Sequence, residues 1–346
     1  MRRYFNHIIF IFLIAFGFAG CKQDMPVVMP QFEVTVPQNT YKIGDTVRFK
    51  FTSNNADFVV YYSGEIGRRY SNANRLSQAG INKLVFQTSM QQGIVPPAAS
   101  LDSLKLLIST NLTGYDSVSI AKATWTDITS RNTKWPTSLS ASYTASDSIN
   151  ISDFNTASQV NIAFRYLGNS YAVAQRKYEI QNLTLSNNLF DGTNTPLFAT
   201  SFLGNTTISV STIAPASTFA YTGWVECSFK NVVNAWNVGT WNVSGATSLT
   251  NTSGISIRTS YPITFDPGSA AGLPPNDDWL ITTAVDLKTV KPDAGTVLQD
   301  KLTVNALTGY NYVFKAAGTY TITFIASNQN TGNSMRVVKQ LTLTVQ

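Results

Sequence analysis

Histidine is almost absent from this chain. Its one copy, His7, lies within the first twenty residues, in a segment that reads as a removable leader. A mature protein without histidine has no Ser-His-Asp or Cys-His nucleophile system, and none of the common histidine-containing zinc sites. Cysteine is nearly as scarce, with two copies, Cys21 and Cys227. If Cys21 is consumed at the amino terminus, Cys227 has no partner for a disulfide. No charged pattern surrounds Cys227, so it reads as a small apolar packing residue and not as a reactive thiol. Glutamate occurs four times, as Glu33, Glu65, Glu179 and Glu226. Nothing marks two of them as partners, which leaves a carboxylate-pair glycosidase as a minor alternative. No glycine-rich phosphate loop follows a strand. The expectation is a protein that is not an enzyme.

Charge is also low, at 13% of residues, about half the usual share of roughly 25%. The formal net charge is +6, from 25 basic and 19 acidic residues. Removing Arg2 and Arg3 with the leader leaves 23 basic against 19 acidic. The basic residues form no run, which excludes a nucleic-acid footprint. Polarity comes instead from Ser, Thr and Asn. Apolar residues make up 43% of 346, enough for a sizeable core and two domains.

Arg2 and Arg3 open the chain, and Ile8 to Phe16 (IIFIFLIAF) is an unbroken apolar run. As a helix it covers about 13 Å, too short to span a bilayer. Small residues follow, then Cys21. This is the layout of a secretory signal peptide. Phe18-Ala19-Gly20-Cys21 resembles a bacterial lipobox, with Phe18 where Leu is usual. That resemblance implies a lipid anchor on Cys21. Lys22-Gln23-Asp24 resembles the short charged tag of Bacteroidetes surface lipoproteins, with one acid in place of two or more. The expected address is the outer membrane, lipid-anchored and facing out.

Beyond a Pro-containing tether (residues 21–30), period-two alternation dominates, the mark of half-buried strands. Phe32, Val34 and Val36 share one face; so do Val47, Phe49 and Phe51 after a turn at Tyr41 to Asp45. Near the other end, Tyr320, Ile322 and Phe324 share a face, and Leu341, Leu343 and Val345 close the chain. Neither end has enough strands for a core of its own. A structureless stretch of some 200 residues between them would be most unusual. An all-β architecture follows: residues 31–78 with 300–346 form one discontinuous sandwich, and residues 79–299 form an inserted domain. The middle is strand-rich too, at Leu104 to Ser109, Val160 to Tyr166, Tyr178 to Leu185 and Trp279 to Leu287. Only Ser117 to Ala123 has room for a turn or two of helix.

Tyr41-Lys42-Ile43-Gly44-Asp45-Thr46-Val47 with Phe49 resembles the opening of a PKD or immunoglobulin-like module, and Ala316 to Phe324 (AAGTYTITF) resembles its closing hairpin. Ile162 to Tyr166, followed by Tyr178 to Leu183, resembles the final strands of cleaved-adhesin or choice-of-anchor jelly rolls. Asn276 to Thr282, with Val285-Asp286-Leu287, resembles an early strand of the same modules. Their order is reversed here, which implies a circularly permuted jelly roll set into the PKD-like domain. Taken together, Gly44 to Val47, Tyr62 to Glu65, Trp125 to Thr129, Ile162 to Tyr166, Asp277 to Thr282 and Gly318 to Phe324 resemble a Bacteroidetes lipoprotein family of unknown function (domain of unknown function 5017). The resemblance implies an accessory surface lipoprotein of a glycan uptake system. Its partners would then be a glycan, a TonB-dependent outer-membrane transporter and that transporter's substrate-binding lipoprotein. An adhesion or scaffold protein of the envelope is the alternative.

Sugar rings stack on aromatic planes, and binding residues gather on loops. That makes Trp135 with Tyr143, and Trp236 and Trp241 with Asn234 and Asn242, the candidate ligand residues; packing inside a sandwich is the competing role. Trp279 and Trp125 read as core. Asp277 and Asp278 are candidate oxygen ligands for a structural calcium ion, which takes six to eight oxygens; a turn-forming role is the alternative. Ser103, Ser117 and Ser148 each follow an Asp and precede an apolar residue, a pattern that resembles the O-glycosylation sequon of exported Bacteroidetes proteins. Thr46 matches it too, at a strand edge.

Overall fold

A computed structural model of the chain describes residues 26–93, 102–169, 172–200, 206–207, 224–237, 241–243, 256–259, 263–301 and 307–346; for 102–103, 199–200, 206–207, 241–243 and 256–259 it describes the backbone alone. Two compact units emerge: residues 1–74 with 292–346, and residues 75–291. The division falls after Asn74 and Lys291, not after residues 78 and 299. The reason is the strand Thr296–Gln299, which pairs with Phe58–Tyr62 and so belongs to the split unit.

The split unit is a two-sheet sandwich. One sheet has the order Gln31–Thr35, Thr46–Asn54, Gly309–Val313. The other runs Thr296–Gln299, Phe58–Tyr62, Gly318–Gln329, Ser334–Val345, Thr40–Tyr41. All pairings are antiparallel except the short one between Thr40–Tyr41 and Thr344–Val345. Each sheet draws strands from both ends of the chain. Alternation places Phe32, Val47, Phe49 and Phe51 inside against Tyr61, Ile322 and Phe324. The ring of Phe324 meets Phe49 at 5.0 Å and Phe51 at 5.1 Å, both edge-on. Burying rings of this size contributes about 1.5–3 kcal/mol apiece, and most of that is lost if either end of the chain is withdrawn.

The inserted unit is a larger sandwich. A five-stranded sheet runs Trp224–Lys230, Asn276–Thr282, Asn161–Gly168, Asp102–Ser109, Thr126–Asp127. A six-stranded sheet runs Asn194–Thr200, Lys177–Asn188, Ile81–Gln91, Ser140–Ala145, with Ile263–Phe265 beside Lys177–Asn188 and Ile149–Asn150 beside Ile81–Gln91. Leu84, Phe86, Leu106, Phe164, Ile180 and Leu280 fill the space between. A short sheet of Thr206–Thr207, Ser256–Thr259 and Trp241–Val243 completes the described strands.

The five-stranded sheet is also covered on its outer side. Leu107, Ala163, Trp279 and Ile281 pack under Ile120 of the helix Ser117–Lys122. Asp116 caps that helix: its Oδ1 accepts from the amides of Val118 and Ser119. Coverage on both faces explains why every residue of Asn276–Thr282 is buried. Cys227 sits at the margin of this outer cluster, half-buried instead of fully enclosed. Among the described residues no helix is long and apolar enough to cross a membrane.

Candidate functional site

The outward face of the six-stranded sheet holds a group of polar side chains that converge on one another. Its origin is a β-bulge. The strand Lys177–Asn188 pairs with Ile81–Gln91 in register at Gln181–Gln87 and again at Thr184–Val85. Asn182 and Leu183 therefore oppose Phe86 alone. Asn182 supplies the extra residue with a left-handed backbone, φ 50°; Asn tolerates that region better than most residues. A bulge re-aims side chains. Here it turns Asn182 outward beside Gln181. Both amides donate to one oxygen, Gln87 Oε1, at 3.0 and 2.9 Å. Among the described residues, none accepts a hydrogen bond from the Gln87 amide nitrogen.

Glu179 lies two residues upstream on the same face. Its Oε2 accepts from Tyr143 at 2.7 Å and from Ser89 at 3.3 Å, and Lys177 Nζ lies 3.3 Å from its Oε1. Gln91 donates to Ser89 at 3.3 Å. Burial pushes the Tyr143 hydroxyl well above the usual phenol range, and the Glu179 carboxylate beside it adds to the shift. The phenol thus stays a donor throughout neutral conditions. Glu179 is spoken for by a lysine and two hydroxyls, which suits a fixed acceptor better than a proton carrier. The whole presents planar amides and one aromatic ring with its hydroxyl, above a buried Ser89, and the Glu179 carboxylate is paired with Lys177.

Tyr143 is the one sequence candidate that joins this group. Trp135 packs its ring 5.6 Å from Phe86 and donates to the Thr129 carbonyl at 3.1 Å, so it closes the edge of the core. Trp236 departs from expectation. It is 2% exposed, rests 5.5 Å from Phe265 and donates to the backbone carbonyl of Asp278. Its chain segment turns inward, and the indole is core. Asn234 is half-buried nearby and reaches the Pro267 carbonyl at 3.4 Å. Trp241 and Asn242 form a strand with Ser256–Thr259; their side chains lie outside the described residues.

The candidate calcium pair does not converge. Adjacent residues of a strand point to opposite faces. Asp277 faces outward and is held by Arg165 at 2.8 and 2.6 Å. Asp278 faces the interior, fully buried. Among the described residues no group of three or more His, Cys, Asp or Glu is placed to hold a metal ion. Ser117 and Ser148 are exposed; the side chain of Ser103 and all of Cys21 lie outside the described residues. Of the glutamates, Glu33 pairs with Lys339 at 2.6 Å, and Glu65 accepts from Ser63 and Tyr312. Glu226 alone shares a sheet face with a second acid, Asp278, which no substrate can reach at 0% exposure.

Residues 20–204 match the family described as a domain of unknown function (DUF5017), more than half of the 346 residues. The chain belongs to that family. No curated protein matches it, and no solved structure does. The DUF5017 stretch contains every residue of the amide group, from Gln87 and Ser89 through Tyr143 to Asn182. It stops short of Trp236, Asp277 and Asp278.

Sequence reading missed Gln87, Gln181 and Asn182, and marked no partner for Glu179. One signal for the site was present. The apolar positions Tyr178 and Ile180 are even-numbered, while Leu183 and Leu185 are odd. A strand keeps one parity on its core face, so the slip marks the bulge.

Proposed function

We propose that this protein is a lipid-anchored surface lipoprotein of the outer membrane that binds glycan without transforming it, as an accessory to a TonB-dependent uptake system. The observation that carries the reading is the bulge that brings Gln87, Gln181 and Asn182 together beside Glu179 and Tyr143. Sites for small ligands fix orientation with a few well-placed polar groups. Planar amides that both donate and accept match the paired hydroxyls of a sugar, and the ring of Tyr143 offers an apolar face beside them. The leader of residues 1–20, followed by Cys21, supports an exported, anchored protein, and the PKD-like and jelly-roll likenesses support a binding module. The dispersal of the acids supports a non-catalytic role.

Affinity electrophoresis of the protein through gels carrying a broad set of neutral polysaccharides tests this. Retardation by at least one glycan, lost in Gln87→Leu, is expected. Retardation by none, or retardation untouched by that change, rejects the site. The competing role, an envelope scaffold, draws on the exposed apolar loop at Val232 and Val233, 77% and 88% exposed. Recovery of an outer-membrane protein with the chain in glycan-free cells, abolished by Val233→Asp, would favour it.

A further inference from the structure

Asp278 is 0% exposed on the inner face of the five-stranded sheet. Ser228, directly across the neighbouring strand, lies within hydrogen-bond reach of two oxygens: Asp278 Oδ1 and, at 3.3 Å, the backbone carbonyl of Asn234. Both are acceptors when the acid is ionised, and serine has one hydrogen. It cannot serve both. If Asp278 carries a proton, the count closes: the acid donates to Ser228 Oγ, and Ser228 donates to the Asn234 carbonyl. The other acid oxygen, Oδ2, is buried and has no hydrogen-bond partner. An ionised oxygen in that position is far more costly than a neutral carbonyl.

The surroundings point the same way. On the Trp224–Lys230 strand, Glu226 shares the inner face, a second acid, while Lys230 is exposed. On Asn161–Gly168, Tyr166 stands across from Asp278 and is directed to Gln175, and Arg165 is on the outer face with Asp277. From the opposite sheet, Tyr178 and Phe265 approach Tyr166. The segment 231–237 brings no ionisable group. Asp278 takes part in no ion pair among the described residues.

The relay ends on the segment 231–237, and the same strand holds that segment twice more. Trp236 donates to the Asp278 carbonyl at 3.2 Å, and Asn231 donates to Asn276 Oδ1 at 3.0 Å. We propose that Asp278 is a neutral carboxylic acid heading this relay, and that the segment 231–237 is a strap, latched while the acid keeps its proton and loosened when the proton leaves to solvent. On ionisation the Ser228 hydrogen turns to the carboxylate, and the Asn234 carbonyl loses its donor. Burial, with Asp277 and Glu226 adding repulsion against the opposing pull of Ser228, pushes the carboxyl up to about 7.

Hydrogen exchange of the full chain, corrected for the intrinsic rate, tests the proposal between about pH 5.5 and about pH 8.5. Protection of 231–237 is expected to fall by about tenfold or more across that range, while the central strand Asn161–Gly168 stays protected as the folding control. Asp278→Asn keeps a donor facing Ser228 at every pH, so its strap is expected to stay protected throughout. Infrared difference spectra of parent against Asp278→Asn, below neutrality, are expected to show a protonated carboxyl band in the parent alone. A strap equally protected at both ends of the range, the same pH profile in Asp278→Asn, or no protonated band would each overturn it.

Discussion

Arg165 grips Asp277 and covers Trp279 at once: its guanidinium carbon is 4.8 Å from the indole centroid, while Nε and Nη2 reach both carboxylate oxygens at 2.8 and 2.6 Å. The Asp277 side chain is only 9% exposed, so removing its partner leaves a nearly buried charge. Arg165→Met is expected to cost about 2–4 kcal/mol in urea unfolding. Arg165→Lys should recover only part, because an ammonium has neither the two-pronged fork nor the flat face. If Arg165→Met and Asp277→Asn add without coupling in a double-mutant cycle, the pair carries no such weight.

Asp191 gives the acid limb of stability. Burial pushes its carboxyl up, but hydrogen bonds from Thr193 and Arg75 outweigh it and hold the group down at about 2. A carboxyl lower in the folded than the unfolded state stabilises above its unfolded value, near 3.9, and that stabilisation is lost as pH falls toward the folded value. Asp191→Asn is therefore expected to cost about 1–2 kcal/mol at neutral pH, a penalty that shrinks as pH falls through about 2 and is gone below it. A mutant penalty that is constant with pH contradicts the assignment.

Gly64 tests the close approach of backbones in the split sandwich. Its φ is +81°, and an added Cβ would lie 2.7 Å from the Thr321 carbonyl oxygen. Gly64→Ala meets both a strained backbone and a clash with main chain, neither of which a side-chain rotation relieves. A loss of about 2 kcal/mol or more in thermal unfolding is expected. An unchanged melting temperature would mean that the hairpin and the loop 63–65 do not meet this way.

Asn182 separates backbone strain from side-chain chemistry. Asn182→Ala should cost about 1 kcal/mol more than Asn182→Gly, since glycine takes the left-handed region without penalty. Both remove one donor to Gln87, so both should weaken glycan retardation alike. A retardation that tracks stability and not the missing amide would place Asn182 in the framework alone.

The framework was largely legible in the chain. Alternation at 32–36, 47–51, 320–324 and 341–345 marks strands because one face of each meets the core and the other meets water. What the alternation cannot carry is contact across the sheet. Gln87 and Asn182 are 95 residues apart, and only the register joins them. Trp236 misled for a related reason. A tryptophan among asparagines looks like a loop residue, yet its indole finds a buried carbonyl on Asp278, a partner that no local pattern announces. The domain edge erred at Thr296–Gln299 because that strand is short and its exposed pattern lacks alternation.

The first strand, Gln31–Thr35, pairs with Thr46–Asn54, and that strand's other neighbour is Gly309–Val313. Synthesis therefore delivers the opening of the sandwich some 250 residues ahead of its completion. Until the last portion emerges, Phe32, Phe49 and Phe51 have no lid, while residues 75–291 already possess all the pieces of their own core. Maturation from the middle outward follows, and a chain stopped before residue 309 would carry a finished interior body flanked by a sticky, unfinished amino-terminal arm.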